Sequence, residues 1–191
     1  MTIKIGILGD IGSGKSFIAK NFGYPVFNAD KEVGKLYKKD KKIFNQLKKK
    51  LPKHITKFPI SKREVSHAIL ANNSNLKKIV QIVHIEIRKK MNIFLKKNKK
   101  KRIVILDIPL LLENKINKKD DILIFIQSDK KEILKRLKKR KNFNKKLYSK
   151  FRDIQLPLDY KKKKSNFIIK NNFRNTGVKK YVNHIIGQII K

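Results

Sequence analysis

Mostly apolar runs alternate along this chain with amphipathic segments. Residues 3–8, 103–106 and 122–126 form runs with little polar alternation, as is typical of strands buried on both faces of a parallel sheet. Shorter apolar runs at 25–27 and 167–169 predict two further strands. Because strand and helix signals alternate, the pattern favours a parallel sheet built from βαβ units.

Apolar residues spaced three and four apart predict the helices. The clearest case is the segment 76–95, where this spacing predicts one long amphipathic helix. Residues 17–22, 31–39 and 43–51 are predicted to form shorter helices. The apolar positions of the long helix are Leu76, Ile79, Val80, Val83, Ile87, Met91 and Leu95.

Capping residues predict where three other helices begin. Ser61 and Glu64 have the spacing of a capping box. Asp129 with Glu132 predicts the start of a helix that carries Leu134 and Leu137, and Thr176 is predicted to begin a C-terminal helix.

The first apolar run leads into a glycine-rich segment with the pattern G-x-x-x-x-G-K-S. A predicted strand precedes it and a predicted helix follows, which is the context in which this pattern forms a phosphate-binding loop. Glycines let the backbone turn its N–H groups toward an anion, and the helix N-terminus adds its positive dipole. We expect Lys15 to reach the β- and γ-phosphates of a nucleotide and the Ser16 hydroxyl to ligate Mg²⁺. The other loop residues expected to bind the phosphates are Asp10, Ile11, Gly12, Ser13 and Gly14.

These features predict an α/β protein with the three-layer P-loop NTPase fold and a parallel sheet. A length of 191 residues favours one domain, 1–191, with a core large enough to fold alone. Two segments, about 40–101 and about 141–164, interrupt the strand–helix alternation. We expect the first, mostly helical, to hold an acceptor substrate and the second to form a lid over the nucleotide.

The charge balance is strongly basic, with 51 Lys and Arg against 14 Asp and Glu and a formal net charge of +37. Such a balance suggests a polyanionic partner such as nucleic acid. The lysine runs are scattered over most of the chain, however, and Lys, Ile and Asn, which all have A/T-rich codons, are abundant together. Drift in composition is therefore the favoured explanation, and no specific nucleic-acid partner is expected. A nucleic-acid-binding protein in which the P-loop is secondary stays an alternative.

Other classes of protein are excluded or disfavoured by composition. The absence of cysteine excludes disulfides, thiolate metal sites and cysteine nucleophiles. No run approaches the roughly 20 apolar residues of a membrane span, and the N-terminus lacks the apolar region of a signal peptide. We expect a cytoplasmic protein with no membrane partner.

A phosphate loop alone does not separate a small-molecule kinase from a GTPase or a motor. The guanine-reading pattern Asn-Lys-x-Asp occurs at 117–120, but it precedes a predicted strand instead of following one, and no Asp-x-x-Gly element accompanies it. A motor would need a larger body. A compact P-loop kinase is therefore favoured.

Asp30, just after the second predicted strand, is a candidate for the chemistry. The carboxyl ends of parallel strands line one crevice, so a carboxylate here is expected near the phosphate loop. It would orient an attacking hydroxyl and take its proton. Capping of the helix 31–39 is an equally good explanation for an Asp at this position.

Taken together, these residues resemble the dephospho-coenzyme A kinase family over nearly the whole chain. The family pattern has a phosphate loop, an Asp-Ala-Asp element, a His-Pro pair, a Pro-Leu-Leu-x-Glu segment, two arginines beside the lid, a Gln and a C-terminal Asn-Asn element. The matching positions here are 9–16, 28–30, His84, 109–113, Arg136 with Arg140, Gln155 and 166–172. Their order and spacing carry the resemblance.

The resemblance implies phosphorylation of the ribose 3′-hydroxyl of dephospho-coenzyme A by ATP, the last step of coenzyme A synthesis. Asp30 falls on the aspartate expected to act as base. Arg140 would contact the migrating phosphoryl group and Arg136 would bind ATP, because the fixed fork of a guanidinium suits its spread charge. Both arginines could instead form a solvated helix face. Another small P-loop kinase acting on a nucleotide stays an alternative.

The resemblance also implies a set of substrate-binding residues, namely His84, Glu113 and Asn171. His84 would contact the ribose or phosphate of the coenzyme, or be half-buried and satisfied by a backbone carbonyl. Glu113 would organise the acceptor pocket or only anchor its loop. ATP and dephospho-coenzyme A are the expected small-molecule partners, with Mg²⁺, and a monomer is favoured.

The chain departs from the family pattern at several positions. Asn28 replaces the first aspartate of the Asp-Ala-Asp element, and Ile85 replaces the proline after the histidine. Asp10 places a carboxylate inside the anion-binding loop, where it should repel ATP unless it points outward or pairs with a lysine. Because Lys15, Ser16 and Asp30 are all present, an active enzyme is expected.

Overall fold

The computed structural model describes residues 2–141, 143–174 and 177–190. Its strands form one five-stranded sheet in the order β2-β3-β1-β4-β5, and every neighbouring pair is parallel. The prediction of an α/β fold with a parallel sheet is confirmed. The strands are β1 Ile3–Gly9, β2 Val26–Asn28, β3 Ile103–Asp107, β4 Ile122–Gln127 and β5 Phe167–Lys170.

Helices connect the strands and fill the two predicted insertions. The described helices are α1 Lys15–Asn21, α2 Ala29–Lys39, α3 Lys41–Lys50, α4 Lys62–Ala71, α5 Asn73–Lys97, α6 Lys130–Lys138, α7 Lys145–Asp153, α8 Leu158–Lys163 and α9 Val178–Ile189. None of these is long and apolar enough to cross a membrane. The predicted start of the C-terminal helix at Thr176 falls outside the described residues, and α9 is capped by Gly177.

The chain divides into two compact units. The first comprises Met1–Asn28, Phe94–Phe143 and Gln155–Lys191, and the second Ala29–Ile93 and Asn144–Ile154. The sheet belongs to the first unit. The second contains most of the predicted helical insertion, together with α7 from the predicted lid region. A single domain over the whole chain therefore stays a prediction.

Buried side chains cover both faces of the sheet of the first unit, and one hydrophobic cluster packs against a single face. Ile5 and Ile7 of β1 are completely buried there, and they pack in one cluster with residues of α1 and α9 such as Ile18 and Val182. Each such side chain contributes about 1.5–3 kcal/mol by leaving water. On the opposite face, Gly6 leaves room for the side chain of Leu111.

The parallel register brings the ends of the strands to one edge of the sheet. Ile5 of the central strand pairs with Ile105 of β3 and Ile122 of β4, all running the same way. Loops that follow the five strands therefore start at the same edge. The residues that end the strands are Gly9, Asn28, Asp107, Gln127 and Lys170.

Local capping in the second unit agrees with the sequence. Ser61 accepts a hydrogen bond from the Glu64 N–H, and the Glu64 carboxylate accepts one from the Ser61 N–H, which completes the predicted capping box. Asp40 caps α3 in a simpler way, through the Ile43 N–H. These short-range bonds fix where the two helices begin.

Candidate active site

Glycines give the loop between β1 and α1 its shape. Gly12 has a φ of 85° and Gly14 a φ of 93°, in the left-handed region that side chains disfavour. A Cβ at Gly12 would lie 3.0 Å from the Leu137 side chain of α6, so the loop also needs glycine for close packing. The predicted loop is present with the backbone that its sequence requires.

Lys15 is held at the loop by backbone oxygens. Its Nζ donates to the Asp10 carbonyl at 2.7 Å and to the Gly9 carbonyl at 3.2 Å. The Ser13 N–H also donates to the Asp10 carbonyl, at 3.2 Å. The cation is therefore placed beside the loop, where phosphate oxygens bind in such loops.

Asp10 does not take either of the two arrangements that the sequence suggested. Its carboxylate is buried, with a residue exposure of 6%. It accepts a hydrogen bond of 2.7 Å from the Ile11 N–H, which is one of the loop's own donors. The negative charge therefore stays within the loop, with a backbone partner.

Asn171, at the end of β5, ties the loop to the C-terminal part of the chain. Its buried side-chain amide donates to the Ser13 carbonyl at 2.8 Å, and the Ser128 hydroxyl donates to the same carbonyl at 2.9 Å. A Cβ at Gly14 would overlap the Asn171 amide nitrogen. The structure gives Asn171 a role in holding the loop, and contact of its side chain with a substrate stays a prediction.

Arg136 of α6 stacks on an aromatic ring near the loop. Its guanidinium carbon lies 4.5 Å from the centre of the Phe173 ring. Phe173 has a φ of 63°, unusual for a bulky residue, and its N–H donates to the Asn171 side-chain oxygen at 3.0 Å. Arg136 lies on an exposed face of α6, but stacking on Phe173 gives its guanidinium a defined position.

Arg140 differs from its predicted placement. Helix α6 ends at Lys138, so Arg140 lies in the turn beyond the helix and is exposed. Its backbone N–H donates to the Leu137 carbonyl at 3.0 Å, as expected where a helix unwinds. The two arginines therefore do not share a helix face, and contact of Arg140 with a phosphoryl group stays a prediction.

Three polar side chains meet at the edge of the sheet beside α1. Asn28 ends β2 and pairs in register with Asp107, which ends β3. The Asn28 amide donates to the Asp107 carboxylate and, at 3.4 Å, to the Ser16 hydroxyl. Asp107 is a buried carboxylate with an exposure of 3%. A hydroxyl and a carboxylate are hard oxygen ligands of the kind that Mg²⁺ takes, so the residues present fit this ion.

Glu113 forms a buried ion pair after β3. Its Oε1 lies 2.6 Å from Lys161 Nζ of α8 and accepts a 3.0 Å hydrogen bond from the Leu156 N–H. Both side chains are nearly inaccessible, at 9% for Glu113 and 1% for Lys161. One oxygen of Glu113 therefore anchors its loop.

Asp30 and His84 belong to the second unit. Helix α2 begins at Ala29, directly after β2, so Asp30 lies in the first helical turn instead of at the cap position before it. His84, in α5, has a buried Nε2 with no hydrogen-bond partner in the described part of the chain. Burial, and to a smaller extent the nearby Arg88 charge, lower the pKa of His84 below its usual 6.5. A carbonyl bond at this nitrogen is therefore not seen, and the roles of both residues stay predictions.

Four residues of the site were missed in the sequence. Asp107 had a usable signal, because an apolar strand that ends in Asp beside a phosphate loop is a common metal-binding arrangement. Ser128 and Phe173 had no such signal. Lys161 had no such signal either, because it lies within a run of four lysines.

Such a loop, at the carboxyl edge of a parallel sheet and with Lys15 beside it, binds nucleotide phosphates. The loop and sheet of the first unit therefore identify the chain as a P-loop nucleotide-binding protein. Residues 3–176 match the family model described as dephospho-CoA kinase. The chain belongs to the dephospho-CoA kinase family, and it is an enzyme of the kinase class.

Similarity to individual known proteins supports this assignment. The dephospho-CoA kinase of Wolbachia pipientis wMel is 34% identical over 190 residues, covering 97% of each chain. The fold is similar to that of a protein from Thermus thermophilus with a known crystal structure. The alignment covers 98% of each chain, with a TM-score of 0.79 and 22% sequence identity. The dephospho-CoA kinase of Campylobacter jejuni has a TM-score of 0.64 and 22% identity, with 98% of this chain and 97% of that chain covered. The two structures support the fold.

Proposed function

We propose that this enzyme transfers the γ-phosphoryl group of ATP to the ribose 3′-hydroxyl of dephospho-CoA, which completes coenzyme A synthesis. The observation that carries the proposal is the family match over residues 3–176, a range that includes the loop and every proposed site residue. The preformed loop geometry supports the donor half of the reaction independently of that match.

The loop would bind ATP through its backbone N–H groups and through Lys15. The ammonium, now 2.7 Å from the Asp10 carbonyl, would turn to the β- and γ-phosphates. Arg136, held over the Phe173 ring, would add a second cation on the side of α6. Cations held beside the loop would thus stabilise the charge on the transferring group, and such electrostatic stabilisation is the main source of catalysis in phosphoryl transfer.

Ser16 and Asp107 are the residues that would hold Mg²⁺, with Asn28 orienting the carboxylate. The described residues contain no cluster of three His, Cys, Asp or Glu that could hold a metal by itself. This fits an ion that takes few protein ligands and completes its shell with phosphates and water. When bound, Mg²⁺ would neutralise charge on the β- and γ-phosphates.

Asp30 would act on the acceptor. Its carboxylate would accept the proton of the 3′-hydroxyl while the hydroxyl oxygen attacks the γ-phosphorus and ADP leaves. Asp30 lies in the first turn of α2, where the helix dipole would keep its carboxylate ionised and able to accept a hydrogen bond from the attacking hydroxyl. Arg140 would contact the phosphoryl group as it moves.

A substrate comparison tests the proposal. Purified protein is incubated with ATP, Mg²⁺ and either dephospho-CoA or a nucleoside monophosphate, and ADP release is measured. We expect turnover with dephospho-CoA, loss of turnover in Asp30→Asn, and nearly unchanged ATP binding in that variant. Phosphorylation of the nucleoside monophosphate alone would favour another small P-loop kinase.

The net charge of +37 does not require a specific nucleic-acid partner. We propose a cytoplasmic monomer that acts on small molecules, and that its lysines retain nucleic acid only in a sequence-independent way. Such binding should fall steeply with salt and show no preferred sequence. Tight binding to one sequence or structure would contradict this.

A further inference from the structure

The segment predicted to form a lid, about 141–164, is divided between the two units. Helix α7 belongs to the second unit, whereas α8 belongs to the first. Helix α8 packs against β1 and carries Lys161, the partner of Glu113. Helix α7 packs instead against α4 of the helical insertion. The two parts of this segment therefore have separate attachments, and they need not serve the same substrate.

A side-chain hydrogen bond fastens α7 to the insertion. Lys150 Nζ donates to the Asn73 side-chain oxygen, and Asn73 is the first residue of α5. The apolar residues Leu147 and Phe151, one helical turn apart, lie on the half-buried side of α7, while Arg152 is exposed. Packing of this side, together with the bond from Lys150, therefore holds α7 within the second unit.

Helix α7 depends on this packing for its stability. It has nine residues, none of them fully buried, and a helix of this length is marginal by itself in water. Asn144 caps it, accepting a 2.9 Å hydrogen bond from the Leu147 N–H. A helix held in this way opens readily, so its amide hydrogens should exchange fast. A ligand that binds the second unit would stabilise α7 and slow that exchange.

The residues proposed for the two substrates divide between the units. Lys15 and Arg136, proposed to bind ATP, belong to the first unit. Asp30, proposed to act on the acceptor hydroxyl, and His84, predicted to bind the acceptor, belong to the second. Helix α7 therefore shares a unit with residues assigned to the acceptor and not with the phosphate loop.

We propose that α7 serves the acceptor substrate, an alcohol, instead of closing over the nucleotide. Lys150 is a positioning residue, which holds α7 on the insertion through Asn73 and so fixes the acceptor-binding surface of the second unit. The inference rests on the proposed function and assigns one element of the enzyme to one of its two substrates.

Hydrogen exchange in the unaltered protein tests the assignment. Exchange of the α7 amides is followed by mass spectrometry with dephospho-CoA alone and with ATP and Mg²⁺ alone. We expect dephospho-CoA, at about ten times its Kd, to slow exchange in α7 about tenfold, and ATP to leave it unchanged. Helix α1, which follows the phosphate loop, should show the reverse. Protection of α7 by ATP as strong as by dephospho-CoA, or by neither substrate, would overturn the inference.

Lys150→Met tests the positioning residue, because the variant keeps an apolar stem but cannot donate to Asn73. We expect the KM for dephospho-CoA to rise about fivefold, as for loss of one hydrogen bond, with an unchanged KM for ATP. Lys150→Arg can still donate and should restore most of the original KM. Lys89→Met is the matched control, because it removes a cation of the same unit whose pair with Glu86 is local to α5.

A raised KM for ATP in Lys150→Met, an unchanged KM for dephospho-CoA, or the same rise in Lys89→Met would contradict the role of Lys150. Calorimetric binding of dephospho-CoA to the unaltered protein is measured alongside. If that protein binds and phosphorylates dephospho-CoA while α7 does not respond, only this inference fails. If it does neither, the proposed function fails as well.

Discussion

The side-chain amide of Asn171 donates to the Ser13 carbonyl at 2.8 Å, and this bond connects the end of β5 to the middle of the phosphate loop. The other end of the same amide accepts from the Phe173 N–H at 3.0 Å. One buried side chain therefore fixes both the loop and the residue on which Arg136 stacks.

Asn171→Ala should weaken ATP binding more than it weakens acceptor binding. The Ser13 carbonyl would lose the hydrogen bond from Asn171 and keep the one from the Ser128 hydroxyl. Loss of this bond would destabilise the loop conformation by about 1 kcal/mol. We expect the KM for ATP to rise about fivefold. Asn172→Ala is the matched control, because in the described part of the chain the exposed Asn172 side chain accepts one local bond, from the Arg174 N–H. Equal effects of the two substitutions would argue against this role.

Asp10→Asn tests the carboxylate inside the loop. The Asn side-chain oxygen can still accept from the Ile11 N–H, so the loop shape is kept while one negative charge is removed. We expect ATP to bind about fivefold more tightly, because about 1 kcal/mol of repulsion with the phosphates is lost. Calorimetric titration with ATP measures this. An unchanged affinity would mean that the carboxylate does not face the phosphates when ATP is bound.

Asp107→Asn should change the requirement for Mg²⁺. The variant loses a hard anionic ligand beside Ser16 but keeps the position of the side chain next to Asn28. We expect the Mg²⁺ concentration for half-maximal activity to rise about tenfold, while ATP binding measured without Mg²⁺ stays the same. Asp120→Asn, on the exposed turn before β4, is the control. The prediction fails if Mg²⁺ dependence is the same in both variants.

Glu64 makes the stability of the second unit depend on pH in the acid range. Burial alone would raise its pKa, but hydrogen bonds from Thr56 and Ser61 outweigh burial and lower the pKa from 4.5 to about 2. The unfolded chain therefore takes up the proton first, so the stabilisation is present above pH 4.5 and is lost as pH falls toward 2.

Glu64→Gln should consequently lower the melting temperature at pH 7 and make it less sensitive to acid between pH 4.5 and 2. Thermal unfolding at a series of pH values measures both effects. Glu86→Gln, which removes a surface pair with Lys89, is the control and should change little. Parallel pH curves for Glu64→Gln and the unaltered protein would contradict the assignment.

Much of the fold follows from local patterns. The strand at Ile122–Gln127 and the helix at Asn73–Lys97 were predicted from apolar spacing alone, with ends a few residues off. The capping box of Ser61 was also readable, because both partners lie within one helical turn. Burial of a strand and capping of a helix depend on residues close in the chain, so the sequence displays them.

Contacts between distant segments could not be predicted in the same way. Asp107 meets Asn28 because β2 and β3 are neighbours, and strand order has no local signal. Lys161 is one of 51 basic residues, and its burial depends on Glu113 in another loop. The unusual backbone of Phe173 likewise depends on how the segment after β5 approaches the phosphate loop.

The central claim is that the ribose 3′-hydroxyl of dephospho-CoA receives the γ-phosphoryl group of ATP. Phosphorus and proton NMR of the product formed with Mg²⁺ test it most directly, with Lys15→Ala as the inactive control. The account predicts a new phosphomonoester on the 3′ carbon, one ADP for each CoA, and no product with the variant. Phosphate on another position, or ADP release with unaltered dephospho-CoA, would contradict it.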